Sequence, residues 1–366
     1  MLISTDANMA GMKNKGFYYP LVGVDFGSQT IKAVAISGKA NNFEIVGLAE
    51  VQTPKGSIVD YQINPNDHEK VVQAVRTLLK RIPNKPRYIA TSVSGSSVIS
   101  RIIQADAGLR DSELNDFIES ESEQIIPSPL EEMNLDYEII GPNLVDGTKN
   151  DVLVSACRTE VIEQRVAVFD TVGCQLKVVD VGVHALARAV RNVIPGFDAN
   201  YGEKVVAIVD VGAVNLTFGA MYQGEVIFHR LQGFGGDNLT QGIVGFSNMP
   251  YEDAEKCKLQ GRLPNDIQSQ LVPQHFNQMA QNIKRNIQIF TSSNQHREVD
   301  AVVLTGGGCL LPATREQLSG MLGVKEVLCP DIFRAAPKFK TEDNPMGCKY
   351  MTALGLALRS FEACPI

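Results

Sequence analysis

The chain has no dense cluster of lysine or arginine, no Cys-x-x-Cys pair, and no apolar run approaching the roughly 20 residues that span a bilayer. The first absence, with a formal net charge of -7, argues against nucleic acid as a partner, because a phosphate backbone calls for a basic stripe. The second leaves seven cysteines, Cys157, Cys174, Cys257, Cys309, Cys329, Cys348 and Cys364, odd in number and widely scattered. Neither a disulfide framework nor a zinc site follows, and such thiols fit a reducing cytoplasm. The third leaves no candidate for direct membrane insertion. The opening MLISTDANMAGMKNKG has no apolar segment of the signal-peptide kind, so residues 1–16 read as a flexible tail. What remains is an ordinary globular composition, 44% hydrophobic and 20% charged, in 366 residues. That length exceeds one core of usual size and predicts two or more domains.

Val22 to Val34 reads as a short apolar strand, an Asp-x-Gly turn and a second strand rich in β-branched residues, Ile31 to Ile36. A turn holding Gly27, Ser28 and Thr30 can aim several backbone N–H groups at one spot, a concavity suited to phosphate, with Lys32 close behind. Asp25 adds a carboxylate where a hydrated divalent cation would sit. Any Asp-x-Gly turn between strands also has a purely structural explanation. A second copy shifts the balance: Val205 to Phe218 repeats the layout around Asp210-Val211-Gly212, about half the chain away. Duplication of a whole domain, each half offering a hairpin to a shared cleft, accounts for both.

Between and beyond the hairpins the pattern alternates. Phe43 to Glu50 reads as a strand, and His68 to Arg81 as a helix whose apolar face is Val71, Val72, Val75, Leu78 and Leu79. Tyr88 to Val93 is a further strand. A βαββα stretch follows: strand 98–104, acidic helix 111–126, a Pro127/Pro129 break, strands 135–140 and 152–156, and helix 160–172. It could form a separate module. The acidic residues of its first helix are spread around the helix and read as a solvated face rather than a metal site. Gln175 to Val181 returns as a strand into a helix, Val183 to Val193. After the second hairpin, Phe228 to Gln232 leads to Gly235-Gly236, where glycines allow close approach of an anion to a helix N-terminus. Glu255 and Lys258 share a face of a short helix, either as a surface ion pair or as a grip on ribose hydroxyls. A long helix spans Pro273 to Ser293. A buried strand then runs into Gly306-Gly307-Gly308, bare backbone on which a flat ring or sugar could lie. A final helix, Lys349 to Phe361, has a small face suited to close packing between the halves.

In that order, these elements resemble the actin-like ATPase superfamily, over nearly the whole chain except the tail. The insertion near 95–173, G-G-D-N-x-T at 235–240 and A-E-x-x-K at 254–258 are similar to its FtsA-like branch, and closest to the PilM family of cytoplasmic type IV pilus assembly proteins. The resemblance implies an α/β, duplicated ribonuclease H-like fold with two large lobes around a nucleotide cleft. It implies subdomain 1A at 17–94 and 174–199, an FtsA-like 1C insertion at 95–173, subdomain 2A at 200–242 and 299–349, subdomain 2B at 243–298, and a return to 1A at 350–366. ATP or ADP would be held by Gly27, Ser28, Gln29, Thr30 and Lys32 on the β- and γ-phosphates. Gly212, Ala213 and Asn215 would hold the opposite side, with Gly235 and Gly236 near the α-phosphate or ribose, Glu255 and Lys258 at the ribose, and Gly306, Gly307 and Gly308 facing the adenosine. Asp25 and Asp210 would hold Mg2+ through water.

Hydrolysing members of the superfamily carry a Glu or Gln at the start of the connecting helix to orient the attacking water. Here Gly182, followed by Val183 and His184, falls at that place, and Asp180 lies inside the strand. Binding with slow or absent turnover is therefore expected. The resemblance implies a scaffold that docks the cytoplasmic N-terminal peptide of inner-membrane PilN in an apolar 1A/1C groove. Other inner-membrane pilus components would join it, recruitment to the membrane would run through the partner, and self-association is left open. Two alternatives differ in kind. A small-molecule kinase of the same fold needs a substrate pocket for which no motif is seen. An FtsA-like filament needs a basic amphipathic C-terminal helix, for which residues 360–366 supply neither charge nor length.

Overall fold

The computed structural model describes residues 19–40, 42–126, 129–143, 146–293, 297–341 and 346–362. The expectations for residues 1–16, Pro127 and residues 363–366 lie outside them. The first lobe begins with β1 (Leu21–Phe26), β2 (Thr30–Lys39) and β3 (Asn42–Gln52). A tight hairpin follows, β4 (Ile58–Val59) and β5 (Gln62–Ile63), then α1 (His68–Lys80) and β6 (Tyr88–Val93). An insertion comprises β7 (Val98–Asp106), α2 (Asp111–Ile125), β8 (Met133–Pro142) and β9 (Lys149–Arg158), after which α3 (Thr159–Thr171), β10 (Gln175–Val181), α4 (Gly182–Val193) and α5 (Phe197–Tyr201) complete the lobe. The second lobe holds β11 (Val206–Val211), β12 (Asn215–Tyr222), β13 (Glu225–Gly233), α6 (Gly236–Ser247), α7 (Tyr251–Leu259) and α8 (Asn265–Ser293). It continues through β14 (Ala301–Thr305), α9 (Thr314–Leu322) and β15 (Glu326–Leu328), and α10 (Met351–Leu358) returns to the first lobe.

The duplication is explicit in the sheets. The first has the order β10-β6-β1-β2-β3 and the second, from the opposite edge, β15-β14-β11-β12-β13. β1 and β11 each pair antiparallel with the next strand and parallel with a later one. Both are central and covered on both faces, which is why they read as nearly continuous apolar runs. Even the register repeats: Asp25 lies opposite Lys32, and Asp210 opposite Thr217.

The insertion forms a three-stranded antiparallel sheet, β7-β9-β8, with a small core of Ala105, Leu114, Ile118, Val152 and Val154 under α2. The sequence groups helix 160–172 with this module. In the structure Val161, Ile162, Val168 and Phe169 of α3 instead join the first lobe's core beside Val24 and Phe26, because the apolar face of α3 meets β10 and α1 rather than α2. The long helix also differs from expectation. It starts at Asn265, and Pro273 lies inside it. Pro273 removes one helical hydrogen bond, at a cost of about 3 kcal/mol; burial of Ile267 against Leu239, Ile243 and Ala254 opposes this and retains the early turns.

α4 and α10 cross beside β1. A Cβ on Gly355 would sit 1.7 Å from the Ala185 carbonyl oxygen, and one on Gly23 would sit 2.0 Å from that of Ala353. These helices therefore meet backbone to backbone. Arg188 of α4 reinforces the joint, donating to Asp180 (2.8 Å), Glu362 (2.6 Å) and the Gly355 carbonyl (3.2 Å). Gly355→Ala forces this contact apart. Chemical denaturation should show a loss of at least about 2 kcal/mol, and an unchanged midpoint would mean that the helices separate freely.

Candidate functional site

The tips of the two hairpins close in the same way: Gly27 N donates to the Thr30 carbonyl (3.2 Å), and Gly212 N to that of Asn215 (2.9 Å). Both tips project into one cleft of about 430 Å³ between the lobes. Asp25 and Asp210 sit at the ends of their central strands and line it together. Lys32 reaches Asp25 at 3.4 Å, and the Thr305 hydroxyl donates to Asp210 at 3.0 Å. Burial, and then the charge of Asp25, push the Asp210 carboxyl up to about 6. Two partly buried carboxylates, one of them paired with Lys32, form a site that a divalent cation would relieve. Among the described residues no three His, Cys, Asp or Glu side chains form a cage, so such a cation would take its other ligands from water and a bound anion.

Sixteen of the seventeen residues expected at a nucleotide line this cleft, Ser28, Gln29, Ala213, Asn215 and Gly236 among them. Gly235 does not. Its Cβ would lie 2.3 Å from the Ala213 carbonyl oxygen, so glycine is needed there for close packing beneath the hairpin. The helix N-terminus behind it is likewise committed: Gly236 N donates to Gly212 O (3.0 Å), Asp237 N to Ala213 O (2.7 Å) and Gly235 N to Asn238 Oδ1 (2.8 Å). The first two amides clamp the second hairpin, the third closes the helix cap, and none of them is offered to an anion. The triple glycine divides its work similarly. Gly306, at φ +91°, and Gly308 would each place a Cβ 2.4 Å from Val211 atoms, whereas beside Gly307 there is open space.

Glu255 and Lys258 pair at 2.7 Å and are largely covered, with Lys258 also donating to Gly236 O (3.0 Å) and Thr240 Oγ1 (2.8 Å). This is a braced pair in the cleft wall rather than a surface ion pair. Gly182 opens α4 on the cleft lining, with Ser94 Oγ 2.3 Å from where its Cβ would be. Asp180 points away into a different groove. Burial alone would raise its pKa, but Arg188 beside it holds the carboxyl well below the usual range. It is committed to the helix joint.

A bridge across the cleft is not legible in the sequence. Gln29 Nε2 donates to the Tyr251 hydroxyl (2.6 Å), which donates to Asp237 Oδ1 (2.6 Å). Burial and the Asp237 carboxylate raise the Tyr251 hydroxyl well above its ordinary value, which keeps it a donor. No local pattern marks a contact between positions so far apart in the chain. Glu50 and Lys349, paired at 2.7 Å on the cleft floor, were missed for the same reason.

The Asp210 shift carries a sign. Its folded-state pKa lies above the usual carboxylate value, so the charged form costs stability at neutral pH, and protonation below about 6 removes that cost. Asp210→Asn should therefore stabilise the ligand-free protein at pH 8 by roughly 1 to 3 kcal/mol and by much less at pH 4.5. Calorimetry at the two pH values checks this, and destabilisation at pH 8 would contradict it.

A solved structure described as the PilM-PilN type IV pilus biogenesis complex is similar over 94% of this chain and 99% of that chain, with 24% identity and a TM-score of 0.80. Ethanolamine utilization protein EutJ from Carboxydothermus hydrogenoformans aligns over 93% of this chain and 92% of that one, with 19% identity and a TM-score of 0.55. The fold is thus actin-like, α/β with two lobes around a cleft and a small insertion subdomain. The family model for type IV pilus assembly protein PilM matches residues 23–361, both hairpins and the returning helix included, and the chain belongs to that family.

Proposed function

We propose that this PilM-family protein is a nucleotide-loaded scaffold of type IV pilus assembly. It holds ATP or ADP with Mg2+ in the cleft and docks the cytoplasmic N-terminal peptide of an inner-membrane PilN. The observation that carries the nucleotide part is the meeting of Asp25 and Asp210 on two equivalent hairpins in one cleft. With Mg2+ between those carboxylates through water, Ser28, Thr30 and Lys32 would meet the phosphates from one side, and Gly212, Ala213 and Asn215 from the other. Glu255 and Lys258 would take the ribose hydroxyls, and the open backbone at Gly307 the adenosine. Slow turnover is read from Gly182: it brings no side chain to the head of α4, and Asp180 is tied to Arg188, so neither residue aligns a water for in-line attack.

The partner is supported by the family and by the likeness to a structure whose description includes PilN. A groove of about 1060 Å³ is lined by the insertion, the first lobe and the start of β13, with Asp136 and Glu138 on the insertion side, Arg188 and Arg191 on α4, and Glu225 on β13. Its walls are charged, unlike the apolar groove that the sequence analysis supposes, so peptide recognition there would lean on polar contacts. No helix among the described residues is long and apolar enough to cross a membrane. Recruitment to the inner membrane would run through the partner.

Purified protein given Mg2+ and ATP should bind nucleotide and turn it over far more slowly than about once per second, below the usual enzyme range. A coupled phosphate-release assay reads this, and turnover near that rate would overturn the scaffold reading. A short peptide with the PilN N-terminal sequence should bind by fluorescence anisotropy with and without nucleotide; absence of binding in both conditions would remove the proposed partner.

A further inference from the structure

The hairpin β4–β5 turns on Asp60 and Tyr61, both at positive φ, +47° and +62°. This is the backbone of the tightest hairpin turn, which Asn and Gly occupy at little cost and a bulky aromatic residue does not. The turn is firmly held. Asp60 Oδ2 accepts from Ser96 N (3.2 Å) and from the Ser96 hydroxyl, and the Tyr61 carbonyl accepts from Nη2 of Arg165. Arg165 is itself fully buried, lies over the Phe26 ring at 4.2 Å, and among the described residues has no hydrogen-bond partner for Nε or Nη1. A buried guanidinium thus secures the backbone of a strained tyrosine. Strain of this kind persists where the side chain has work to do.

The Tyr61 side chain lines the cleft together with Asp25, Asp210 and Thr217. Its hydroxyl meets Thr217, the residue opposite Asp210 in the second hairpin and so the counterpart of Lys32 in the first. Burial, and then the charge of Asp210, keep the phenol protonated, so it acts as a hydrogen-bond donor. Its position is at the end of the cleft where the two aspartates meet, remote in role from the Glu255–Lys258 and Gly307 end.

We propose that Tyr61 is a nucleotide-contacting residue that selects for the triphosphate: its hydroxyl donates to an oxygen of the terminal phosphate and exchanges that partner for Thr217 when a diphosphate is bound. The assignment rests on the nucleotide reading above and adds to it a residue that distinguishes ATP from ADP. Ser96 and Arg165, which hold the turn, lie just before β7 and in α3, where the chain enters and leaves the insertion. The sensing residue is therefore tied to both roots of that subdomain.

The test is isothermal titration of the full chain with Mg2+ and a non-hydrolysable ATP analogue, and separately with Mg2+ and ADP. Wild type, Tyr61→Phe and Tyr61→Asn are compared. Tyr61→Phe should lose roughly ten- to a hundredfold in affinity for the triphosphate, the worth of a hydrogen bond to a charged group, with ADP affinity unchanged. Tyr61→Asn, which suits positive φ, should show the same selective loss with its far-ultraviolet circular dichroism intact. Unchanged triphosphate affinity in Tyr61→Phe, or equal losses for both nucleotides, would overturn the proposal while leaving the nucleotide reading in place. Failure of wild type to bind either nucleotide would overturn that reading and this assignment with it.

Discussion

Gly355 of α10 lies so close to Ala185 of α4 that no methyl group fits between them. That contact sets the separation of the lobes. α4 continues directly from β10 of the first sheet, packs against β12 and β13 of the second, and is crossed by α10 on its return to β1. Residues of both lobes, Val34 and Ile45 of the first and Ile208 and Val303 of the second among them, share one core cluster with these helices. Interiors packed at crystal density do not stretch, so the distance between the hairpin tips is inherited from this joint. Arg188 adds an electrostatic tie to the same place, which is why Asp180 serves the joint and not the cleft.

Within that frame the two hairpins are equivalent in backbone and unequal in charge. Opposite its aspartate the first carries Lys32, and the second carries Thr217. The lysine offsets part of the negative charge at Asp25, while Asp210 is left with a hydroxyl donor and a raised pKa. The asymmetry leaves net negative charge where the two tips meet. The cleft therefore carries an electrostatic cost at Asp210, a common bargain between stability and binding.

Contacts across the mouth are of a weaker kind. The hydrogen bonds from Gln29 through Tyr251 to Asp237, and the exposed Lys55–Glu252 pair at 3.4 Å, join the first hairpin and the segment after β3 to α6 and α7. Pairs like the latter contribute little in water. The joint is thus rigid on the α4–α10 side and lightly tied at the opening, an arrangement that suits entry and release of a ligand.

Much of this was legible in sequence because it is local. The strand–turn–strand layout of Val22 to Val34, its repeat at Asp210, and the helical apolar faces of α1 and α4 follow from residue type and period, and a period of two or 3.6 needs no knowledge of the rest of the chain. The cleft wall was largely legible too, since its glycines and aspartates sit in short motifs. Other features were decided only by tertiary packing. Gly235 reads as an anion contact but lies under Ala213; α3 reads as part of the insertion but buries its face in the first lobe; and Pro273 reads as a helix start but is carried inside α8 by the burial of Ile267. Tyr61, Tyr251 and the Glu50–Lys349 pair belong to the site through contacts that no local spacing encodes. Sequence by itself determined most of the strands and helices, because periodicity is set by near neighbours along the chain. Which faces meet, and so which residues share the cleft, was decided by the close approach of α4 and α10, since only the assembled core sets distances between residues hundreds of positions apart.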